Sequence, residues 1–338
     1  MRTLRVGLVG FGNVGRRFAA LLDGPFREPL RRAGLRVTLT GVASGRHGRA
    51  IDARGLKPRD LVRRGSLDVF HRGPALVSTR DFIRLVPADA LIEVTPLDPL
   101  RGEPALSHVR AALRRGLHVV TANKGPVAFA LHALRALSRR RRVAFLYEAA
   151  VLDGAPVFNL VERCLPGVRV RAFRGTLNST TGYVLSRVEA GASFAVALRE
   201  AQTLGIAETD PRHDLDGWDA AVKGCALANA LLDGRVRPAQ VVRRGIQELS
   251  EARVRRVAKQ GGHLRLVTRG ERVNGRVHVS VAPERLGPGD PLAGDRGDSA
   301  LALETDLMGE IVIIERGGTV DQTAYGLLSD LIEIAPRL

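Results

Sequence analysis

The chain has 338 residues, 45% of them hydrophobic, and a formal net charge of +17, with arginine supplying 48 of its 52 basic residues. That length makes room for two domains with substantial cores, and no stretch approaches the roughly 18 apolar residues of a membrane span. The two cysteines, Cys164 and Cys225, give neither a disulfide framework nor metal spacing, which suits a reducing cytoplasm. The opening M-R-T-L-R-V-G-L-V-G is too short an apolar run for a signal peptide. The basic charge leaves nucleic acid as a partner from a different functional class, but the arginines are spread along the chain and only 4% of residues are aromatic.

Leu4 to Val9 reads as a short apolar strand, and Gly10-Phe11-Gly12-Asn13-Val14-Gly15 follows it directly into an apolar helix through Leu22. Strand, G-x-G-x-x-G and helix together predict a dinucleotide site, with the diphosphate at the helix N-terminus. The second strand, Val37 to Ala43, ends at Ser44, with Arg46, Arg49 and Lys57 beyond it. NAD-selective sites usually carry an acid at this strand end to hold the ribose 2′-hydroxyl. Serine and cations suit a 2′-phosphate, so NADP is expected over NAD, with Ser44 and Arg46 as the selecting residues.

Further strands are expected at Ala90 to Val94, ending in Thr95-Pro96, and at Leu117 to Thr121, with a helix from Glu103 to Arg115 between them. Ala122-Asn123-Lys124-Gly125 follows at a carboxyl strand end, where ligands of open α/β sheets lie. This places Thr95 and Lys124 beside a cofactor or substrate. A helix to Arg142 and a strand from Val143 to Tyr147 complete a domain over 1–147, an α/β, doubly wound parallel sheet of Rossmann type. The loop Glu148 to Pro156 then leads into a second domain, 148–308, of mixed sheet and helices.

In that domain a strand is expected at Val168 to Leu177, then N-S-T-T-G-Y from Asn178, and helices at Phe194 to Gly205, Trp218 to Leu232 and Arg243 to Ala258. Strands follow at Leu264 to Thr268 and Arg276 to Val281, and Pro283 to Asp298 has no clear periodicity. The remaining 309–338, a strand at Glu310 to Glu315 and a helix at Thr323 to Ile334, is expected to pack back on the first domain. Between two of these helices lies A-E-T-D-P-R-H-D-L-D-G-W-D-A-A-V-K, ending at Lys223, one of four lysines in the chain. Asp219 and Lys223 are four apart and project from one helical face. The plain alternative is a helix start followed by a solvated ion pair. Lysine, unlike arginine, shifts its pKa and exchanges a proton, and its rarity here points to chemistry.

Taken in order, G-F-G-N-V-G at Gly10, T-A-N-K at Thr121, Y-E-A-A-V at Tyr147, L-N-S-T-T-G-Y at Leu177, D-L-D-G-W-D-A-A-V-K at Asp214, G-D-P-L-A at Gly289 and the last helix resemble homoserine dehydrogenase over essentially the whole chain. The resemblance implies reversible NAD(P)H-dependent reduction of L-aspartate 4-semialdehyde to L-homoserine by a cytoplasmic homodimer. It assigns proton handling to Lys223, with Asp219 beside it, and places Lys124 near the reacting oxygen. It gives the substrate ammonium to Glu208 and Asp214, with Thr180 and Gly182 lining the pocket, and puts a sodium site at Glu148 and Val151. Leu152-Asp153-Gly154-Ala155 departs from the family's glycine-rich loop at that site, and Arg316-Gly317-Gly318-Thr319-Val320 departs from its G-x-G-A-G. The chain stops after one terminal helix, so a short form without the ACT regulatory domain is expected. The remaining alternatives are another amino-aldehyde reductase and a basic nucleic-acid-binding protein on this scaffold.

Overall fold

A computed structural model describes residues 1–294 and 297–337. Among them, strands form two six-stranded sheets, one in each of two compact units, Met1–Pro156 with Thr319–Leu338, and Val157–Gly318. In chain order the first unit contains β1 (Arg2–Val9), α1 (Asn13–Leu22), α2 (Arg27–Arg32), β2 (Leu35–Ser44), β3 (Gly48–Ile51), α3 (Pro58–Arg63), α4 (Thr79–Leu85), β4 (Ala90–Glu93), α5 (Ala105–Arg115), β5 (His118–Thr121), α6 (Lys124–Arg141) and β6 (Phe145–Leu146). The second contains β7 (Val170–Thr176), α7 (Ser179–Glu189), α8 (Phe194–Thr203), α9 (Arg212–Leu215), α10 (Trp218–Leu231), β8 (Val242–Arg243), α11 (Glu251–Lys259), β9 (His263–Val273), β10 (Arg276–Leu286), β11 (Ser299–Thr305) and β12 (Glu310–Glu315). The last helix, α12 (Val320–Ile334), returns to the first unit.

The first sheet runs β3-β2-β1-β4-β5-β6. Its strands are parallel from β2 to β6, while β3 is an antiparallel edge made by a hairpin from Ser44 to Gly48, a feature not expected from sequence. The order reverses between β1 and β4, and this switch point puts the loop after β1 where ligands of open sheets bind. Continuous burial over Val6 to Val9 of β1 and along all of β4 fits a sheet covered on both faces. Leu327, Leu328, Leu331 and Ile334 of α12 share one helical stripe, all fully buried in the same core as Phe18 of α1.

The second sheet runs β12-β11-β7-β9-β10-β8 and is mixed, with only β8 parallel to its neighbour. β9 and β10 pair along their full length around Asn274-Gly275, both left-handed at φ 49° and 78°, as a two-residue hairpin of strong right-handed twist requires. Helices α7, α10 and α11 pack against this hairpin.

Three expectations are corrected. The expected grouping of 309–338 does not hold, because β12 pairs with β11 in the second sheet and only α12 joins the first unit. The first unit also runs to Pro156 rather than Tyr147, since the Glu148 N–H donates to Asp330 of α12 at 3.0 Å and Thr323 to Asp153 at 2.9 Å. The helix expected from Arg243 starts only at Glu251, after β8 and a turn, where Ser250 caps it by accepting from the Arg253 N–H. Within Pro283 to Asp298, β10 continues to Leu286 and Pro291–Ala293 forms a 3-10 turn, while Asp295 and Arg296 lie outside the described residues. Among the described residues no helix is long and apolar enough to cross a membrane.

Candidate active site

In the first unit, the residues expected to hold a dinucleotide gather at the carboxyl ends of β1, β2, β4 and β5. Gly10, left-handed at φ 103°, turns the chain so tightly that a Cβ would lie 2.5 Å from the Val94 carbonyl oxygen. A Cβ on Gly15 would lie 2.2 Å from the Gly10 carbonyl oxygen, so only glycine lets α1 start this close to β1. Gly12, by contrast, faces open space and caps α1 without a side-chain hydrogen bond. The N–H groups of Asn13 and Val14 thus begin a helix with room for a diphosphate, and the residues present fit the cofactor. Phe11 is buried, with the Arg16 guanidinium 5.0 Å from its ring centre. Ser44 sits in the hairpin turn, where its hydroxyl accepts the N–H groups of Arg46 and His47 at 3.3 Å, and the Arg46 side chain is exposed.

Thr95 and Lys124 are tied to one buried polar network that sequence reasoning missed. Glu93, fully buried at the end of β4, accepts the Thr95 N–H at 3.2 Å and the Thr95 hydroxyl. His108 of α5 approaches the same oxygen at 3.4 Å, and the other oxygen lies 3.4 Å from the Thr121 hydroxyl. Thr121 accepts the Asn123 N–H at 2.9 Å, and the Asn123 amide donates to the carbonyl of Thr95 at 2.9 Å. Asn123 also caps α6 by accepting the Gly125 N–H at 2.8 Å, which fixes the helix whose first residue is Lys124. A lone acid inside an apolar strand, I-E-V-T-P, was the available signal, because a buried carboxyl needs partners.

In the second unit, the acidic stretch folds as α9, a left-handed Gly217 and α10. The Lys223 ammonium donates to the Leu177 carbonyl at 2.5 Å and lies 3.4 Å from Asp219. Asn178, which caps α7, joins the two acids: its amide donates to Asp214 at 2.7 Å and to Asp219 at 3.1 Å. Thr180 is buried, with its hydroxyl donating to the Ile206 carbonyl at 3.1 Å, and Gly182 follows on the same helix. Asn178 is thus a second residue missed, although it begins the N-S-T-T-G-Y motif. Glu208 is exposed, and among the described residues no hydrogen bond or ion pair joins its carboxylate to this cluster.

Burial, and then repulsion from Asp219, hold the Asp214 carboxyl above its ordinary value, against hydrogen bonds from Asn178 and Thr180 and the charge of Lys223. The folded state therefore binds this proton more tightly than the unfolded chain, and Asp214 costs stability as pH rises above its unfolded value of 3.8. We expect the melting-temperature gain of Asp214→Asn over wild type to be larger at neutral pH and to shrink as pH falls toward 4; a pH-independent gap contradicts this.

Glu148 and Val151 are both buried in one short stretch of the first unit, giving a carboxylate and a peptide carbonyl. Such hard oxygen donors suit a group I cation, although among the described residues no three His, Cys, Asp or Glu side chains gather as a metal cluster. Cys225 is buried, which pushes its thiol up to about 12, and Cys164 is exposed on a π-helical turn.

The chain matches the family model "Homoserine dehydrogenase, NAD binding domain" over residues 10–148 and the model "Homoserine dehydrogenase" over residues 156–332. It is 35% identical to the NAD(+)-dependent homoserine dehydrogenase of Pseudomonas canavaninivorans, over 99% of this chain and 97% of the relative. It is 34% identical to the homoserine dehydrogenase of Methanocaldococcus jannaschii, over 97% of each chain. Among solved structures, the putative homoserine dehydrogenase of Archaeoglobus fulgidus superposes with a TM-score of 0.87 at 31% identity, covering 98% of this chain and 99% of that one.

Proposed function

We propose that Lys223, Asp219, Asp214 and Asn178 carry the chemistry of this chain, which belongs to the homoserine dehydrogenase family. The reaction is the reversible reduction of L-aspartate 4-semialdehyde to L-homoserine with NAD(P). When bound, the nicotinamide supplies or accepts the hydride. In the reductive direction negative charge builds on the aldehyde oxygen. An ammonium fixed by a carbonyl and a carboxylate, as Lys223 is, stabilises that charge and delivers a proton to it. Asp219 and the Leu177 carbonyl fix the direction of the Lys223 ammonium. Asp214 meets the substrate's ammonium, whose arrival offsets the desolvation and repulsion that this carboxyl otherwise bears. Thr180 and Gly182 line the pocket, Glu208 joins it from its exposed position, and Lys124 acts as the second lysine near the reacting oxygen. The observation that supports this reading best is the single Asn178 amide bridging Asp214 and Asp219, with Lys223 beside them.

NADP is the preferred cofactor on this reading. The β2 end offers a hydroxyl and an exposed guanidinium, a pair suited to a phosphate, and no acid for a free 2′-hydroxyl. The Pseudomonas relative, described as NAD(+)-dependent, supports the opposite preference. Homoserine-dependent reduction of each cofactor decides between them. We expect higher kcat/KM with NADP, and a loss of roughly tenfold with NADP alone in Arg46→Ala. Equal loss with both cofactors, or NAD preference in wild type, contradicts the assignment.

We also place sodium at Glu148 and Val151, to be checked by melting temperature in sodium against tetramethylammonium buffer. The enzyme is taken to be a cytoplasmic homodimer, which light scattering and cell fractionation check.

A further inference from the structure

Trp218 is the only tryptophan in the chain, and it is the first residue of α10, immediately before Asp219. The Arg243 guanidinium lies 4.0 Å from the centre of its ring and also donates to the carbonyl of Asp216. Arg243 is held from behind, because β8 pairs with Ser280 and Val281 of β10 and the Arg244 N–H donates to the Val281 carbonyl at 2.8 Å. Just beyond, the Ile246 N–H donates to the Leu215 carbonyl at 2.9 Å. That approach requires Gly245, since a Cβ there would lie 2.1 Å from the Leu215 carbonyl oxygen. One short edge strand and its turn therefore grip Leu215, Asp216 and Trp218 in succession.

The gripped turn lies between Asp214 and Asp219, two acids that repel one another. Left to itself, such an inter-helix turn is among the segments most prone to open locally, and the repulsion drives the acids apart. A cation over an indole face and a charged donor on a carbonyl both oppose that motion, and both are stronger than their neutral counterparts. Trp218 is half-buried with the Arg243 guanidinium on its ring, so a shift of the turn changes what its ring faces.

We propose that Arg243 is a positioning residue for the reaction: its clasp on Asp216 and Trp218 holds Asp214 and Asp219 at the spacing that Asn178 bridges, and Trp218 emission reports the arrival of substrate there. The inference rests on the reading of the Lys223 cluster as the substrate site.

The test titrates the full chain, saturated with reduced cofactor so that homoserine is not turned over, with L-homoserine while tryptophan emission is recorded, and measures kcat and KM separately with oxidised cofactor. Wild type gives a saturable emission change. Arg243→Met keeps its far-UV dichroism and cofactor affinity within about twofold, loses the homoserine-dependent emission change, and drops in kcat by roughly 10- to 100-fold with a raised KM. Arg243→Lys, which keeps a charged donor, regains most of the loss. Wild-type kcat and KM in Arg243→Met overturn the proposal. So does failure of Arg243→Lys to recover activity when both variants melt equally early, since that marks a purely structural residue. Lys223→Ala is measured alongside. Full turnover in Lys223→Ala overturns the site reading itself, whereas normal kinetics in Arg243→Met beside an inactive Lys223→Ala overturns the clasp alone.

Discussion

Lys223→Ala lowers kcat for homoserine oxidation by about 10³- to 10⁴-fold while the protein stays folded and binds cofactor normally. The size follows from what the ammonium does. On the proposed reading it faces the oxygen whose charge changes during hydride transfer and handles the proton of that oxygen, and no other group in the cluster replaces it. Asp214, Asp219 and Asn178 accept or donate to one another, but none of them carries a positive charge. The fold is expected to survive because removing Lys223 leaves the Asn178 amide bridging Asp214 and Asp219. Arginine does not substitute, since it holds its proton throughout. Steady-state kinetics with dichroism and a cofactor titration check this result. A drop below tenfold places the proton transfer elsewhere.

Glu93→Ala has its largest effect on stability. The carboxyl is fully buried and accepts from the Thr95 N–H and hydroxyl, with the Thr121 hydroxyl and His108 at its other contacts. Alanine leaves both Thr95 donors facing a cavity, at about 1–3 kcal/mol for each donor left unsatisfied, while Thr121 keeps its 2.9 Å bond to the backbone carbonyl of residue 93, so a total near 4 kcal/mol is expected, or a melting temperature lower by roughly 10 °C. The same loss frees Thr95 and weakens the Asn123 cap beneath Lys124, so cofactor affinity falls as well. Glu93→Gln keeps the shape and one acceptor and loses less than half as much stability. Calorimetric melting of the two variants checks the order, and an alanine variant as stable as wild type contradicts the network.

Much of the fold was legible because its signals are local. The G-x-G-x-x-G turn, the buried strands and α12 each carry their pattern within a few residues, and Lys223 stood out by its rarity. What was missed depends on partners far along the chain. Nothing near Glu310–Glu315 tells that its neighbour is β11 rather than a strand of the first unit, because a strand's sheet is chosen by pairing across sequence. The Arg243–Ala258 stretch has helical composition throughout, yet Gly245 and the bonds of β8 to β10 break it, and only Ser250 marks the true start. In the candidate site, the lysines and acids were readable from their chemistry. Glu93, Asn178 and Arg243 were not, because each looks like an ordinary strand, cap or surface residue until its hydrogen-bond partners are known. Glu208 shows the converse: its motif is plain in sequence, while its side chain stands apart from the cluster.

A crystal structure of the enzyme with oxidised NADP and L-homoserine measures directly where homoserine sits. The predicted result has the substrate ammonium within hydrogen-bond distance of Asp214 and the hydroxyl oxygen facing the Lys223 ammonium. A substrate bound away from both, with Asn178 still bridging two unoccupied acids, would contradict it.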